Sequence, residues 1–139
     1  MSLSTLLQNI ADAEQGPTTC AVFDFDGTII SGYSATAFLK DQIARGEISP
    51  ADLVQLTQAA TRFGIGSLGF SALMAVHAQY LAGRSEADYV ANSERLFRRA
   101  IAKLIYPEAR QLIKAHRAAG HSIAIISSAT PYPVLPNHY

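Results

Sequence analysis

Apolar residues recur at helical spacing along most of the chain and form short continuous runs at only two places. Leu3, Leu6 and Ile10 share one face of a predicted N-terminal helix, which ends at the turn signal "QGPTT". The two continuous runs are "CAVFDF" and "HSIAIISS", which are rich in Val, Ile and Phe and bounded by turn residues. Runs of this kind are typical of parallel strands that are buried on both faces.

Helical signals occupy the sequence between the two predicted strands. Ser49 and Ser85 are predicted N-caps, and Pro107 is typical of the first position of a helix. A further apolar stripe that includes Phe70 and His77 predicts another helix between them. The chain order is therefore a strand, a helical insertion, a crossover helix and a second strand.

This order predicts an α/β fold with a parallel sheet. Residues 1–31 and 106–139 are expected to form a partial α/β core, and residues 32–105 are expected to form a helical cap. The two strands should lie side by side, because a strand, a crossover and a parallel strand normally return to the same sheet with a right-handed connection.

Composition narrows the function classes. The chain has 139 residues, of which 49% are hydrophobic and 16% charged, with 11 basic and 11 acidic side chains, so neither disorder nor nucleic-acid binding is indicated. Cys20 has no second cysteine to pair with, and its apolar neighbours predict a buried thiol. The sequence contains no recognisable signal peptide or transmembrane segment, which leads us to expect a cytoplasmic protein.

Two acidic residues stand at the end of the first predicted strand. Side chains alternate along a strand, so Asp24 and Asp26 should point to one side of it. Two neighbouring carboxylates repel each other unless a cation or a proton intervenes, and Mg²⁺ prefers such oxygen ligands. Gly27 lets the backbone turn close to a ligand, and Thr28 adds a hydroxyl and an N–H group.

These residues resemble a known family. "DFDGTI" is similar to motif I of the haloacid dehalogenase superfamily, and "IAIISSAT" is similar to its motif II. "SSATP" most resembles the phosphoserine-phosphatase-like branch, subfamily IB. The resemblance implies a Rossmann-like parallel sheet core with a C1-type helical cap inserted after the first strand.

The resemblance also implies a reaction and roles for single residues. Asp24 would be the nucleophile that forms an aspartyl phosphate, and Asp26 would be the general acid and base. Both would bind the Mg²⁺ cofactor of a phosphomonoester hydrolase that acts on a small phosphorylated substrate. The substrate phosphate would contact Gly27, Thr28, Ser127 and Ser128.

The sequence after motif II departs from the family pattern. "ATPYPVLPNHY" contains no Lys, Arg, Asp or Glu, so it holds neither a motif III lysine nor the motif IV acids, and its prolines oppose a helix. Lys40, Lys103 and Lys114 all precede motif II, and nothing places them in the missing role. We therefore expect an incomplete, truncated and weakly active form of a longer phosphatase.

Three other functional interpretations of the sequence are possible by motif: a phosphorylation-receiver domain, a noncatalytic fragment and a dinucleotide-binding protein. A phosphorylation-receiver domain also uses clustered acids, but it lacks an insertion such as residues 32–105. A noncatalytic interaction or regulatory fragment stays open, because the missing ligands would weaken turnover and leave the cap free to contact partners. "GIGSLG" matches a dinucleotide-binding pattern, but no strand precedes it, so we interpret it as a break in the cap.

Three further features have structural interpretations. His77 and His116 lie on apolar stripes and are expected to be core or partly exposed histidines rather than metal ligands. "RLFRRAIAK" is expected to be a solvated helix face, with contact to a phosphate or an anionic lipid headgroup left open. If the strands lack neighbours, their exposed edges favour self-association.

Overall fold

The computed structural model describes residues 1–54, 58, 78, 81–129 and 131–134, and it has an α/β architecture. The principal elements, in chain order, are α1 (Leu3–Asp12), β1 (Cys20–Asp24), α2 (Ser34–Ala44), α3 (Glu86–Arg99), a 3₁₀ helix (Ile101–Leu104), α4 (Pro107–Ala118), β2 (Ser122–Ile126) and α5 (Pro131–Val134). Residues 50–54 are also helical. No helix among the described residues is long and apolar enough to cross a membrane.

The two strands form a parallel pair, as the sequence order predicts. The register aligns Cys20 with Ser122 and Asp24 with Ile126. The carboxyl ends of β1 and β2 therefore lie at the same edge of the sheet, which is the edge where parallel α/β sheets place their ligands.

Helix boundaries follow their sequence signals. The Ser2 side chain accepts a hydrogen bond from the N–H of Thr5 at the start of α1, and Ser85 accepts one from Asp88 at the start of α3. Pro107 occupies the first turn of α4, and Gly120 follows the end of α4 with φ 73°. The residue types that predict the start or the end of a helix therefore lie at those positions in the structure.

The buried core joins the loop after β1 to the helices of the insertion. Phe25, Ile29 and Ile30 of this loop pack in one cluster with Phe38 of α2, together with Tyr89, Leu96, Ile101 and Ala109. Backbone bonds fasten the loop, since the Ser31 N–H donates to the Leu104 carbonyl at 2.8 Å and the Tyr106 N–H donates to the Ile29 carbonyl at 3.0 Å. The loop that carries the predicted site is thus held from two sides.

One face of the sheet is more exposed than expected. Val22 and Ile126 are 56% and 68% exposed, and Cys20 is also exposed, so the predictions of strands buried on both faces and of a buried thiol are wrong. The register explains this, because Val22, Asp24 and Ile126 lie on one face while Ala21 lies on the other. The described residues cover only that second face, with α4 contacting β2 and α1.

The segment after β2 also differs from expectation. Residues Pro131–Val134 form one helical turn although two of them are prolines. Proline is tolerated in the first turn of a helix, because the backbone N–H groups there have no partner within the helix. A single helical turn therefore loses no hydrogen bond when it contains proline.

Some predictions fall outside the described residues. These are the helix that includes Phe70 and His77, and the "GIGSLG" break at residues 64–69. The division into a core and a cap over residues 32–105 stays a prediction, although Phe38 and Tyr89 from the predicted cap share the buried cluster with Phe25.

Candidate active site

Asp24 is the last residue of β1 and is exposed at the carboxyl edge of the sheet. The Thr28 hydroxyl donates a hydrogen bond to its Oδ2 atom at 3.0 Å. No hydrogen bond to the other carboxylate oxygen, Oδ1, is seen among the described residues. Asp24 therefore combines one oriented oxygen with one that is open to a reacting group.

A tight turn separates the two aspartates. The N–H groups of Ile29 and Ile30 donate to the Phe25 carbonyl at 3.0 and 3.1 Å, and the Thr28 N–H approaches the same oxygen at 3.4 Å. Gly27 adopts φ 79°, a conformation that L side chains rarely take, and its N–H donates to the Ile30 carbonyl at 3.0 Å. The predicted phosphate contacts Gly27 and Thr28 thus use their N–H groups within the turn, whereas the Thr28 hydroxyl faces Asp24.

Asp26 is anchored to α2. Its Oδ1 accepts a hydrogen bond from the Ser34 N–H at 2.7 Å, and its Oδ2 accepts one from the Ser34 hydroxyl at 3.2 Å. Ser34 is the first residue of α2, and the N-cap residue Tyr33 forms no side-chain cap bond. Asp26 therefore supplies the acceptor that the start of this helix needs.

Ser34 was not among the sequence-predicted site residues. It is 2% exposed, and it lies eight residues after its partner Asp26. A serine at a helix start is usually expected to cap its own helix, so the sequence alone offers little indication that its hydroxyl turns towards an aspartate.

The predicted motif II serines lie at the same edge of the sheet as Asp24. Ile126 aligns with Asp24, so Ser127 follows directly beyond that point. The Ser127 side-chain oxygen accepts a hydrogen bond from the Ala129 N–H at 3.0 Å, which leaves its O–H group available as a donor. Ser128 is exposed. The fold therefore brings motif I and motif II to one edge.

The residues beyond Ser127 connect this edge to the insertion. The Tyr132 hydroxyl of α5 donates to Glu86 of α3, and the Tyr132 ring packs edge-on against Tyr89 at 5.1 Å. The hydrogen bond to Glu86 is the main cause that raises the pKa of Tyr132, followed by burial and by the charge of Glu86. The phenol is therefore held as a neutral donor. This contact was not predicted from the sequence.

A Mg²⁺ site is built from oxygen ligands in a near-octahedral arrangement. Asp24 and Asp26 offer hard oxygen donors, and Mg²⁺ commonly uses one or two carboxylates together with water and substrate phosphate. Within the described part of the chain, no group of three or more His, Cys, Asp or Glu side chains is placed to hold a metal. The donor chemistry fits Mg²⁺. Among the described residues, these two aspartates are the acidic side chains of the candidate site that could bind it.

No lysine neutralises the site among the described residues. Lys40 lies on α2, Lys103 in the 3₁₀ helix and Lys114 on α4, and all three are exposed. None of them forms an ion pair with Asp24 or Asp26 in the described ranges. The part of the chain that is described therefore provides two acids and two serines without a paired cation.

Comparisons with known proteins agree with the motifs. The sequence profile of the haloacid dehalogenase-like hydrolase family matches residues 21–136. Phosphoserine phosphatase SerB1 of Mycobacterium tuberculosis (strain ATCC 25618 / H37Rv) is 33% identical over 119 residues, which is 83% of this chain and 38% of the relative. ML2424 of Mycobacterium leprae (strain TN), named as a hydrolase, is 31% identical over 119 residues, 83% of this chain and 39% of the relative.

The matched region is shorter than these relatives. The matched region spans about two fifths of the length of these curated relatives. No solved structure matches the chain with statistical support. The family profile nevertheless covers most of the sequence, including Asp24, Asp26 and Ser127. The chain belongs to the haloacid dehalogenase-like hydrolase family.

Proposed function

We propose that this chain carries the nucleophile and the acid/base of a Mg²⁺-dependent phosphomonoester hydrolase that forms an aspartyl phosphate. The observation that carries this proposal is the open oxygen of Asp24 at the carboxyl end of β1, beside the β2 end that bears Ser127. Membership of a hydrolase family and likeness to a protein named as a phosphoserine phosphatase support it.

In the first step, Oδ1 of Asp24 attacks the phosphorus atom of the substrate. A bond forms between this oxygen and phosphorus while the bond between phosphorus and the leaving oxygen breaks, and Asp26 donates a proton to that oxygen. The hydrogen bond from Thr28 holds Oδ2, which orients the attacking carboxylate. The Ser127 hydroxyl donates to a phosphoryl oxygen.

In the second step, Asp26 removes a proton from water, and the water oxygen attacks the phosphorus of the aspartyl phosphate. The bond between Asp24 and phosphorus breaks, which releases inorganic phosphate and restores both carboxyl groups to their starting protonation states. Both Asp26 oxygens are bound to Ser34, so Asp26 must share or exchange one of these bonds to transfer a proton.

Asp24 and Asp26 would also hold Mg²⁺, which when bound offsets the negative charge that the substrate brings to two carboxylates. The chain's own contribution is to place these oxygens at the sheet edge. Charge compensation at this edge is the weakest part of the arrangement, because the described residues add neither a third acidic ligand nor a paired lysine. We therefore propose a low activity for this chain alone.

The substrate is proposed to be a small phosphorylated molecule. Phosphoserine is the first compound to test, since one relative is named as a phosphoserine phosphatase. A noncatalytic interaction or regulatory role is the alternative, and the engagement of both Asp26 oxygens by Ser34 favours it.

Hydrolysis of an aryl phosphate and of phosphoserine, with and without Mg²⁺, tests the proposal. We expect slow, Mg²⁺-dependent hydrolysis that is lost in Asp24→Asn, whereas Asp12→Asn at the end of α1 should retain it. Loss of a preorganised charge-stabilising group commonly costs about a hundred- to a thousandfold in rate, so a slow reaction is expected. Equal hydrolysis by the native chain and Asp24→Asn would contradict the nucleophile assignment. If the native chain neither hydrolyses these compounds nor measurably binds Mg²⁺, the noncatalytic alternative is favoured.

A further inference from the structure

A cavity of about 740 Å³ lies between α2 and α3. Ser31, Gly32 and Tyr33 form one border of it, and these residues directly precede Ser34, the partner of Asp26. The cavity is therefore continuous in sequence and in space with the loop that carries the candidate active site. Its volume lies within the range of small-molecule sites in proteins.

The charged side chains that line this cavity are mostly positive. They are Lys40 and Arg45 from the α2 side, and Arg95 and Arg99 from α3. Asp41 is the acidic residue among the described lining residues. The described lining thus has more positive than negative charge, and a concave wall concentrates the field of such a set.

Asp41 forms ion pairs with two of the four cations. Its Oδ2 contacts Arg45 at 3.1 Å and Arg95 at 2.6 Å. Arg45 also contacts Glu47 at 3.0 Å. These contacts fix Arg45 and Arg95 against the wall, so neither is the main source of uncompensated charge.

Lys40 and Arg99 are different. Both are exposed, both line the cavity, and neither forms an ion pair within the described ranges. Lys40 presents a compact ammonium group from α2, and Arg99 presents a planar guanidinium from α3, which suits bidentate contact with a phosphate or carboxylate. The two charges stand on opposite walls of one cavity.

We propose that this cavity binds the anionic group, a phosphate or a carboxylate, of a small soluble molecule through Lys40 and Arg99. Ala37, Ala44 and Leu96 add apolar wall, which suits a ligand with a short carbon skeleton. Resting on the proposed function, the ligand is a substrate whose second anionic group lies here while its phosphoryl group reaches Asp24. Anion binding itself does not depend on that function.

Calorimetric titration with inorganic phosphate in the presence of EDTA tests the site. Without Mg²⁺ the two carboxylates at the sheet edge repel phosphate, so the heat reports the cavity. The double variant Lys40→Met, Arg99→Met should weaken binding by about tenfold or more, as expected for losing hydrogen bonds to charged groups. Circular dichroism should show unchanged folding, because both side chains are exposed.

Arg98→Met is the matched control. Arg98 neighbours Arg99 on α3, but it lies outside the cavity lining, and its side chain is 66% exposed and paired with Glu94 at 3.6 Å. This variant should bind phosphate like the native chain. An equal loss in Arg98→Met, or no loss in the double variant, would overturn the proposal.

Two further arms separate the site from the proposed chemistry and from lipid. Asp24→Asn should bind phosphate as tightly as the native chain even where its hydrolysis is lost. Tighter binding in Asp24→Asn, which lacks one of the two repelling carboxylates, would assign the anion to the sheet edge instead. Vesicles containing phosphatidylglycerol form the second arm. The proposal of a soluble ligand would be contradicted if the protein sedimented with these vesicles through Lys40 and Arg99 but did not measurably bind soluble phosphate.

Discussion

The Asp26 carboxylate accepts two hydrogen bonds from Ser34, one from the backbone N–H at 2.7 Å and one from the hydroxyl at 3.2 Å. These bonds join the turn after β1 to the first residue of α2. The candidate acid/base is therefore oriented by a helix of the predicted cap as well as by the turn after β1. A change in the position of α2 would change what Asp26 can reach.

Replacing Ser34 by Ala should destabilise the protein and slow the reaction. The variant keeps the N–H bond to Asp26 but loses the hydroxyl bond in a site that is 2% exposed, and hydrogen bonds to charged groups contribute about 1.5–3 kcal/mol. We expect a loss of about 1–2 kcal/mol in the free energy of unfolding, measured by urea titration.

The control is Ser31→Ala, because Ser31 is exposed and its hydroxyl forms no hydrogen bond in the described structure. If Asp26 is the acid/base, Ser34→Ala should also change the pH profile of kcat, and Ser34→Thr should restore it in part. An unchanged profile together with unchanged stability would show that the Ser34 hydroxyl does not position Asp26.

A histidine pair gives a prediction on pH. The Nδ1 atoms of His116 and His121 are 2.9 Å apart, and His121 Nε2 lies 3.0 Å from the Glu14 carbonyl oxygen. A carbonyl only accepts, so Nε2 of His121 donates, and the neutral ring accepts from His116 at Nδ1. A second proton between the two Nδ1 atoms would break their contact.

Burial lowers the pKa of His116 below its ordinary value of 6.5, and the neighbouring His121 lowers it further. The unfolded chain therefore takes up a proton at higher pH than the folded chain does. The free energy of unfolding should be highest above pH 6.5 and should fall as the pH drops from 6.5 towards the lower pKa of the folded state.

Thermal unfolding measured at a series of pH values tests this prediction. His116→Gln should flatten the pH dependence in that window relative to the native chain. If the native chain were equally stable above and below pH 6.5, or if the variant retained the full slope, the histidine pair would not be the source.

The exposed face of the sheet gives a third prediction. Val22 and Ile126 lie on the same face and are 56% and 68% exposed. Parallel sheets are normally covered on both faces, so we expect this face to favour self-association of the isolated chain. Light scattering at rising concentration should show an increasing mean mass.

The double variant Val22→Thr, Ile126→Thr should shift this increase to higher concentration, because it removes apolar surface while keeping β-branched side chains. Val54→Thr is the control, since Val54 is also 54% exposed but lies in the helical residues 50–54. A monodisperse monomer at high concentration would contradict the prediction.

Much of the fold could be predicted from local sequence signals. The signals act locally: Ser85 caps α3, Pro107 lies in the first turn of α4, and the apolar runs around Val22 and Ile125 form the strands. The parallel pairing follows from chain order. The sequence also placed Asp24 at the end of the first strand, and β1 ends at this residue, with the Thr28 hydroxyl bound to it.

The remaining features depend on tertiary contacts that no local pattern encodes. The bond from Ser34 to Asp26 requires α2 to begin beside the turn, and the bond from Tyr132 to Glu86 joins residues 46 positions apart. The exposure of Cys20 and Val22 depends on what covers the sheet rather than on the strand sequence. The excess charge of the cavity likewise appears only when Lys40 and Arg99 face one space.

The central claim is that Asp24 forms a covalent aspartyl phosphate, and acid-quenched mass spectrometry tests it most directly. The chain is mixed with a phosphomonoester and Mg²⁺, quenched in acid and digested, and the peptide that contains Asp24 is weighed. We predict that this peptide gains one phosphoryl group, that the gain is absent in Asp24→Asn, and that it persists in Asp12→Asn. Hydrolysis that proceeds while the Asp24 peptide never gains a phosphoryl group, or a gain that survives in Asp24→Asn, would contradict the account.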